Sequence, residues 1–372
     1  MDFDFTEDQE SLRDAVRRWV DKDYDFTRRH AIVKAGGFSQ EAWDGLIGLG
    51  LMGLQVPEEQ GGLGFGAVDA MVVMEELGRG IVMEPYAQAA LIAPTVLRQA
   101  PEAVQAQWLP QIAGGEALVV LAHQERAARY ALDKVATRAV GGKLSGAKSL
   151  VPAGDKADAF IVPAQAEGSN GGIALYLVGR GAAGLATRAY SLQDGSRAAE
   201  LTLADTPATL LVGPEQGLAL LELAVDVGIA AMCAEAVGAM DKLTAITAEY
   251  LNTRKQFGVV IGSFQALRHR IADVKMQLEL GRSMSYFATL KLGDEPAARR
   301  RALSQAKVQL GHSARFVGQQ CTQLHGGIGV TDEYVSSHYF KRLTAMEMQF
   351  GDTLHHLGEV SARMQDQAGV FA

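Results

Sequence analysis

Two segments in the last third of the sequence combine residue types that bind phosphate groups. The first runs from Arg254 to Asp273 and reads RKQFGVVIGSFQALRHRIAD, and the second runs from Gln323 to Gly329 and reads QLHGGIG. Consecutive glycines let backbone amides approach a phosphate closely, and an arginine supplies a charged donor. The first segment alone is equally typical of a helix that stops near Gly258 and Gly262 and then restarts. The two segments together favour a ligand that contains phosphate.

Other patterns that carry chemistry are absent or lie in the wrong context. Gly179 to Gly184 fits the GxGxxG pattern of dinucleotide-binding turns, but the strand-like run LATRAY follows it where such a turn requires a helix. We therefore predict a hairpin turn there. The sequence has no HExxH or GxSxG pattern, and its two cysteines, Cys233 and Cys321, lie far apart. It predicts neither a metal site nor a hydrolytic nucleophile.

The composition is that of a folded, acidic protein. The chain has 372 residues, of which 48% are hydrophobic and 21% are charged, and its formal net charge at pH 7 is −8. These values exclude a disordered chain and give no overall positive charge for nucleic acid or an anionic membrane. Two cysteines exclude a disulfide framework, the first ten residues lack the features of a signal peptide, and no run approaches about 18 apolar residues. We expect a soluble, cytoplasmic protein.

The periodicity of the apolar residues changes twice along the chain. From Thr6 to about Ile112 it is helical, and Thr6 with Gln9 predicts a capping box at the start of the first helix. From about Leu118 to Val212 short runs alternate with a period of two, which predicts an antiparallel sheet or a small barrel. From about Pro214 the period is helical again. We predict a mainly α protein with a central β-domain, divided at 1–117, 118–212 and 213–372.

The order of these motifs resembles that of the acyl-CoA dehydrogenase family, over nearly the whole chain. The motifs are FTEDQESLRDAVRRWV, GLIGLGLMGLQVPEEQGGLG, MVVMEELGR and the two phosphate-binding segments. Within the family, the stretches AEAVGAM, HYFKR and FGDTLHHL are most similar to the pimeloyl-CoA dehydrogenase small-subunit type. The resemblance implies an N-terminal α-helical domain, a middle β-barrel or sheet domain, and a C-terminal four-helix bundle.

The resemblance also implies an FAD cofactor, held in extended form between the β-domain of one subunit and the helical bundle of a neighbour. Carried onto this sequence, Arg254 faces the flavin pyrophosphate, for which a guanidinium is a suitable donor. The other residues implied at the cofactor are Gln256, Phe257, Ile261, Gln265, Gln323, Gly326 and Gly327. In the β-domain the corresponding segments read LAHQERAARY and KSLVPAGD. The family's Thr-Glu-Pro and Trp-Ile-Thr patterns are absent there, so no single residue is carried over.

The implied reaction removes two hydrogens from an acyl-CoA thioester and gives the trans-2-enoyl-CoA. A carboxylate takes the α-proton, and the β-hydrogen leaves as hydride to the flavin. Phe350 and Gly228 occupy the two positions at which the family carries this carboxylate. Ile229 occupies the position of an arginine that the family uses for CoA.

Two carboxylates remain as candidate catalytic residues. Glu235 lies on the apolar face of its helix, about two turns beyond Gly228. The alternative for Glu235 is a buried carboxylate paired with an arginine. Asp352 lies two residues past Phe350, and its alternative is contact with adenine or with solvent.

The missing base predicts that the chain is one subunit of an α2β2 tetramer in which a larger dehydrogenase subunit supplies the carboxylate. A homotetramer that uses Glu235 is the competing hypothesis. The resemblance implies an acyl-CoA substrate, here pimeloyl-CoA or another dicarboxyl-CoA, and an electron-transfer flavoprotein or similar acceptor. Arg126 and Arg129 are candidates to meet a terminal carboxylate, although surface ion pairing is their more ordinary role. A structural subunit without FAD, or another flavin oxidase or monooxygenase on this fold, stays open.

Overall fold

The computed structural model describes residues 4–365, with helices at both ends of the chain and strands in the middle. The helices are α1 (Glu7–Asp23), α2 (Phe26–Lys34), α3 (Gln40–Gly48), α4 (Ala67–Arg79), α5 (Ala93–Leu97), α6 (Glu102–Ala113), α7 (Gly217–Thr253), α8 (Gln265–Leu290), α9 (Pro296–His325), α10 (Val335–Met348) and α11 (Thr353–Gln365). At the start of α1, the Thr6 hydroxyl accepts a hydrogen bond from the Gln9 amide, and the Gln9 side chain accepts one from the Thr6 amide. The predicted capping box is confirmed.

Eight strands form one open, mixed sheet. They are β1 (Val119–Leu121), β2 (Arg138–Val140), β3 (Lys143–Pro152), β4 (Ala159–Gln165), β5 (Ile173–Gly179), β6 (Leu185–Ser191), β7 (Arg197–Pro207) and β8 (Thr209–Val212). The order is β6-β7-β3-β2-β4-β5-β8, with β1 paired to β4, and both β1 and β2 run parallel to β4. Two expectations are corrected here: the sheet is not purely antiparallel, and over residues 4–365 its outer strands β6 and β8 do not pair to close a barrel.

The GxGxxG segment is a turn, as predicted, but it does not belong to a hairpin. It connects β5 to β6, and the Ala182 amide donates to the Gly179 carbonyl at 3.0 Å. Within the sheet, β5 pairs with β4 and β8, whereas β6 pairs with β7. The segment is therefore a connection between strands that are not neighbours, and no helix follows it.

The chain divides into two compact units. The helical unit comprises residues up to Arg29, Met71–Val82 and residues from Ile229 onwards, and the sheet unit comprises His30–Ala70 and Met83–Gly228. The strands begin and end close to the boundaries read from the sequence, since β1 starts at Val119 and β8 stops at Val212. The division into three domains at those boundaries stays a prediction.

In the helical unit, α9 packs against α8, α10 and α11. Among the described residues, α7 is the one helix whose length and apolar composition would suffice to cross a membrane, and 72% of its most apolar window is buried inside the protein. This burial is typical of a core helix, and every residue from 228 to 240 is buried.

Candidate functional site

A two-stranded ribbon follows the end of α7 and carries the first of the phosphate-binding segments. Strands β9 (Lys255–Gln256) and β10 (Val259–Val260) pair antiparallel and are joined by Phe257 and Gly258, with φ angles of +55° and +81°. Two successive positive φ angles are the geometry of the tight hairpin turn that favours glycine at its second position. The predicted helix stop is confirmed, and the restart is α8, which begins at Gln265.

The ribbon presents its side chains to solvent. Phe257 is 91% exposed, and the side chains of Arg254, Gln256 and Gln265 are also exposed. Within residues 4–365 the Arg254 guanidinium makes no ion pair or side-chain hydrogen bond. The half-buried Ile261 closes the ribbon, because its amide donates to the Arg254 carbonyl at 2.9 Å. This segment therefore exposes an aromatic ring and, among the described residues, a guanidinium without an ion pair.

The second segment lies at the end of α9. The helix ends at His325, and Gly326 follows with a φ of +66°, a backbone conformation that side chains disfavour. A Cβ added at Gly326 or Gly327 would meet no atom within 4 Å, so both backbone positions are open. Gln323 is exposed on the last turn of the helix. The segment thus offers accessible backbone without side chains in front of it.

An aromatic cluster connects the two segments. The ring of Tyr250, four residues before Arg254, lies 4.7 Å from the His325 ring, and Tyr334 lies 5.1 Å from His325, centroid to centroid. His325 Nδ1 lies 2.8 Å from the Cys321 carbonyl oxygen, and burial lowers the pKa of this histidine. The sequence reasoning missed Tyr250 and Tyr334, although an aromatic residue one helical turn before the arginine was a usable signal.

Glu235 is one half of a buried ion pair. Arg342 Nε donates to Glu235 Oε1 at 2.7 Å, and Arg342 Nη2 donates to Oε2 at 2.8 Å. The side chains of Glu235 and Arg342 are 8% and 15% exposed. Each carboxylate oxygen therefore already accepts a charge-assisted hydrogen bond. The alternative of a buried glutamate paired with an arginine describes this geometry, and a catalytic role for Glu235 stays a prediction.

Asp352 caps the N-terminus of α11, where its Oδ1 accepts a hydrogen bond from the His355 amide at 2.8 Å. Phe350, two residues before Asp352, has a φ of +56°. His356 Nε2 lies 3.0 Å from the Phe350 carbonyl oxygen, and Lys307 Nζ donates to two carbonyls at the end of α10. Contacts from His356 and Lys307 thus hold the loop between α10 and α11, and Asp352 caps α11.

In the sheet unit, the structure brings the segments LAHQERAARY and KSLVPAGD together through Glu125. Its carboxylate accepts hydrogen bonds from Lys148 Nζ at 2.6 Å, from the Thr137 hydroxyl at 2.7 Å and from the Ala136 amide at 2.7 Å. Burial acts to raise the pKa of Glu125, but the Lys148 charge and these bonds lower it overall. Burial lowers the pKa of Lys148 to about 8. No local sequence pattern identifies a partner for either residue.

The two arginines of the same segment lie near the protein surface. Arg126 pairs with Glu200 at 3.4 Å and its side chain is 75% exposed, as surface ion pairing predicts. Arg129 has a φ of +52° and lies over the Tyr130 ring at 5.2 Å. Over residues 4–365 no group of three or more His, Cys, Asp or Glu side chains could hold a metal ion.

Comparison with known proteins shows which family this chain matches. Residues 6–116 match the family model of the acyl-CoA dehydrogenase N-terminal domain, and residues 215–365 match that of the acyl-CoA dehydrogenase C-terminal domain. The acyl-CoA dehydrogenase FadE27 of Mycobacterium tuberculosis is similar to this chain, with 26% identity over 381 residues that cover 98% of this chain and 99% of the relative.

Two solved structures are similar over almost the whole length. A variant of the Tcur3481–Tcur3483 steroid ACAD has a TM-score of 0.89 and 27% identity, and the match covers 98% of this chain and 99% of that chain. The ChsE4–ChsE5 complex from Mycobacterium tuberculosis has a TM-score of 0.88 and 24% identity, and the match covers 99% of this chain and 100% of that chain.

Proposed function

This chain belongs to the acyl-CoA dehydrogenase family, whose members are oxidoreductases acting on CH–CH bonds, and we propose that it is an FAD-binding subunit for the α,β-dehydrogenation of an acyl-CoA. One observation carries the proposal. Arg254 lies between α7 and the ribbon, and its exposed guanidinium makes no ion pair among the described residues. The open backbone at Gly326 and Gly327 follows α9, whose last residue His325 packs on Tyr250 of α7.

The residues present fit the diphosphate of FAD. A guanidinium without a counter-charge and two glycines with no neighbour in front of them supply charged and backbone donors to a dianionic group. Phe257 and Ile261 offer apolar surface beside that charge, and Gln256, Gln265 and Gln323 offer amide groups. FAD, when bound, would accept the β-hydrogen as hydride. The chain's own contribution is to hold the cofactor's diphosphate.

The proton of the α-carbon requires a carboxylate, which we propose a second, larger dehydrogenase subunit supplies. Phe350 stands at one of the family's two positions for this base, and Gly228 stands at the other. Glu235 would have to leave its bidentate contact with Arg342, and that would break two charge-assisted hydrogen bonds of a largely buried guanidinium. The ChsE4–ChsE5 complex, which shares the fold, is an assembly of two proteins.

The finer assignments belong to the same proposal. The chain is the small subunit of a pimeloyl-CoA dehydrogenase type of enzyme, and its substrate is pimeloyl-CoA or another dicarboxyl-CoA. Arg126 and Arg129 are the candidates for the distal carboxylate, and Arg126 would have to leave Glu200, which lies 3.4 Å from it. The reduced flavin passes its electrons to an electron-transfer flavoprotein or similar acceptor, and the complex is a cytoplasmic tetramer.

The FAD assignment is tested with Arg254→Gln and a matched control, Arg188→Gln, which changes an exposed arginine of β6. A charge-assisted hydrogen bond to a charged group is worth about 1.5–3 kcal/mol, so FAD affinity should fall about 10–100-fold in the Arg254 variant only. Flavin absorbance and fluorescence titration of the apoprotein measure this. A colourless wild-type protein that binds no added FAD would refute the assignment and favour a structural subunit.

The source of the base is tested by activity. The chain purified alone should bind FAD yet fail to turn over pimeloyl-CoA, and co-expression with a larger dehydrogenase homologue should restore turnover. Full turnover by the chain alone would refute the partner's role. In that case unchanged turnover in Glu235→Gln would exclude Glu235 as the base. Loss of turnover would assign the base to Glu235 when the variant keeps the wild-type circular dichroism spectrum and its bound FAD. Product analysis with and without oxygen separates dehydrogenation from oxidase or monooxygenase chemistry.

A further inference from the structure

A buried histidine in the first turn of α10 joins two other segments of the helical unit. His338 is 3% exposed. Its Nδ1 lies 2.9 Å from Nη1 of Arg29 in α2, and its Nε2 lies 2.9 Å from the carbonyl oxygen of Asp332, in the segment that precedes α10. The ring of Phe26 packs edge-on against the imidazole at 5.0 Å, centroid to centroid. The function proposed above assigns no role to His338.

These two contacts fix the protonation state of the imidazole. A guanidinium carries only donors, so Nδ1 of His338 must present its lone pair to Arg29. A carbonyl oxygen only accepts, so Nε2 must carry the single hydrogen, which it donates to Asp332. His356 differs, because its Nδ1 lies 3.2 Å from the Ser304 hydroxyl oxygen, which can accept as well as donate. His338 therefore fits its site as a neutral imidazole and not as a cation.

The guanidinium of Arg29 is fixed in front of the imidazole lone pair. Arg29 is 1% exposed, and its Nε donates to the Ile81 carbonyl at 2.9 Å, just beyond the end of α4. The hydroxyl of Tyr339 donates to the Arg79 carbonyl at the same end of α4, so α10 is anchored beside Arg29. A proton on Nδ1 would place two donors and two positive charges 2.9 Å apart. Because Asp332 is exposed, its segment is the partner that can yield to this repulsion.

Asp332 is joined directly to the backbone that the proposed function assigns to the diphosphate. The short 3₁₀ turn Gly326–Val330 precedes it, and both the amide and the hydroxyl of Thr331 donate to the Ile328 carbonyl, at 3.2 and 2.9 Å. The two open glycines thus lie in one hydrogen-bonded turn with the segment that His338 holds. A displacement of Asp332 therefore alters the backbone that is offered to the diphosphate.

The charged groups that face the imidazole, within the described part of the chain, come from three elements. They are Arg29, the Asp332 carboxylate, whose Oδ1 lies 3.5 Å from Nε2, and Lys341, whose Nζ lies 2.9 Å from the same Oδ1. Burial lowers the pKa of His338, Arg29 and Lys341 act in the same direction, and Asp332 opposes them. The imidazole therefore takes up its proton below the ordinary value of about 6.5.

We propose that His338 is a positioning residue that makes FAD binding sensitive to acid. Its neutral imidazole holds the Asp332 main chain beside Arg29, and protonation of Nδ1 breaks this arrangement and displaces the turn that carries Gly326 and Gly327. The inference rests on the proposed FAD-binding function and adds the regulation of that site.

Fluorescence titration of the apoprotein with FAD, from pH 7.5 to pH 5 at constant ionic strength, measures the effect. The diphosphate of FAD keeps its charge over this range, so a change in affinity reports on the protein. We expect a constant Kd above about pH 6.5 and a rise below it, by at most about 10-fold per pH unit, which is the limit for uptake of one proton. Circular dichroism at each pH verifies that the protein stays folded.

Two variants that cannot titrate locate the effect. His338→Gln keeps a donor for the Asp332 carbonyl, and His338→Asn keeps an acceptor for Arg29. Both should bind FAD with a Kd that no longer rises below about pH 6.5. His338→Asn should also bind FAD several-fold more weakly at pH 7.5, because it releases Asp332. The control is His312→Gln, which changes an exposed histidine of α9 and should keep the wild-type pH profile.

Nitrogen NMR of the wild-type protein with labelled histidine adds an arm that remains decisive if a variant does not fold. We expect His338 to carry its hydrogen on Nε2 at pH 7.5 and to become protonated with the midpoint at which FAD affinity falls. A Kd that does not change with pH, a hydrogen on Nδ1 at pH 7.5, or a pH profile that both His338 variants keep would overturn the proposal. A wild-type protein that binds no FAD at any pH refutes the FAD assignment itself, whereas FAD binding that is independent of pH removes only the role of His338.

Discussion

Removal of either charge of the Glu235–Arg342 pair should destabilise the protein strongly, and removal of both should cost less than the sum. The pair joins α7 to α10 with two short hydrogen bonds, and both side chains are largely buried. A single change therefore removes both charge-assisted hydrogen bonds of the pair from a charged side chain that stays largely buried. The perturbation is a double-mutant cycle with Glu235→Gln, Arg342→Gln and the double variant.

The magnitude follows from burial. Loss of one partner of a buried pair costs about 3–5 kcal/mol in the free energy of unfolding. In the double variant, two neutral amides occupy the site, and neither leaves a charge behind. Groups in direct contact show interaction energies of about 0.5–3 kcal/mol, and two bonds of 2.7 and 2.8 Å place this pair in the upper half of that range.

Urea unfolding followed by circular dichroism measures the four free energies, each from its cooperative transition. The matched control is a cycle on the exposed pair Lys275–Glu279, whose side chains are 56% and 47% exposed. That pair should give a coupling near zero to about 0.5 kcal/mol. If the coupling energy of Glu235–Arg342 is no larger than that of the control pair, the view that the Glu235 carboxylate is held in a buried ion pair is refuted.

Two further predictions test the packing and the pH response. Gly238→Ala should lower the free energy of unfolding by about 3 kcal/mol or more, because its Cβ would lie 1.8 Å from the Glu75 carbonyl oxygen. The control is Gly293→Ala, where a Cβ meets nothing within 4 Å. Equal urea midpoints for the two variants would contradict the reasoning. Burial lowers the pKa of His356 to about 3, below its unfolded value of about 6.5, so the unfolded chain takes up a proton first as the pH falls. The stabilising contribution of neutral His356 is present above pH 6.5 and is lost between pH 6.5 and 3, by about 1.4 kcal/mol per pH unit. In a series of urea midpoints measured against pH, His356→Gln should reduce the slope over this range. An unchanged slope would show that other groups cause the loss of stability.

Local features of the fold were predictable from the sequence. The Thr6–Gln9 capping box and the helix stop before Gly258 depend on residues within a few positions of each other. The order of strands in the sheet was not predictable, because β1 and β2 pair with β4 through contacts that no local pattern specifies. Alternation with a period of two indicates strands, yet it is silent on which strand lies beside which.

The candidate site was likewise predictable from the sequence only in its local features. Helical periodicity placed Glu235 on a buried face, and burial of a carboxylate requires a counter-charge. The identity of that partner, 107 positions away at Arg342, depends on how α10 packs on α7. The contact between Tyr250 and His325, which connects the two segments predicted to bind phosphate, likewise depends on the packing of α7 with α9.

The Glu125 cluster has a consequence for the order of folding. Strands β2 and β3 are joined by the two-residue turn Gly141–Gly142, so their hairpin is local and closes on the microsecond scale. Lys148 belongs to that hairpin, and its side chain has 0% exposure in the folded protein. We expect its ammonium group to stay hydrated during folding until it pairs with Glu125. We expect the segment around Glu125 to settle after the hairpin, with a φ-value near zero for Glu125→Gln. The carboxylate then governs mainly the rate at which this region unfolds.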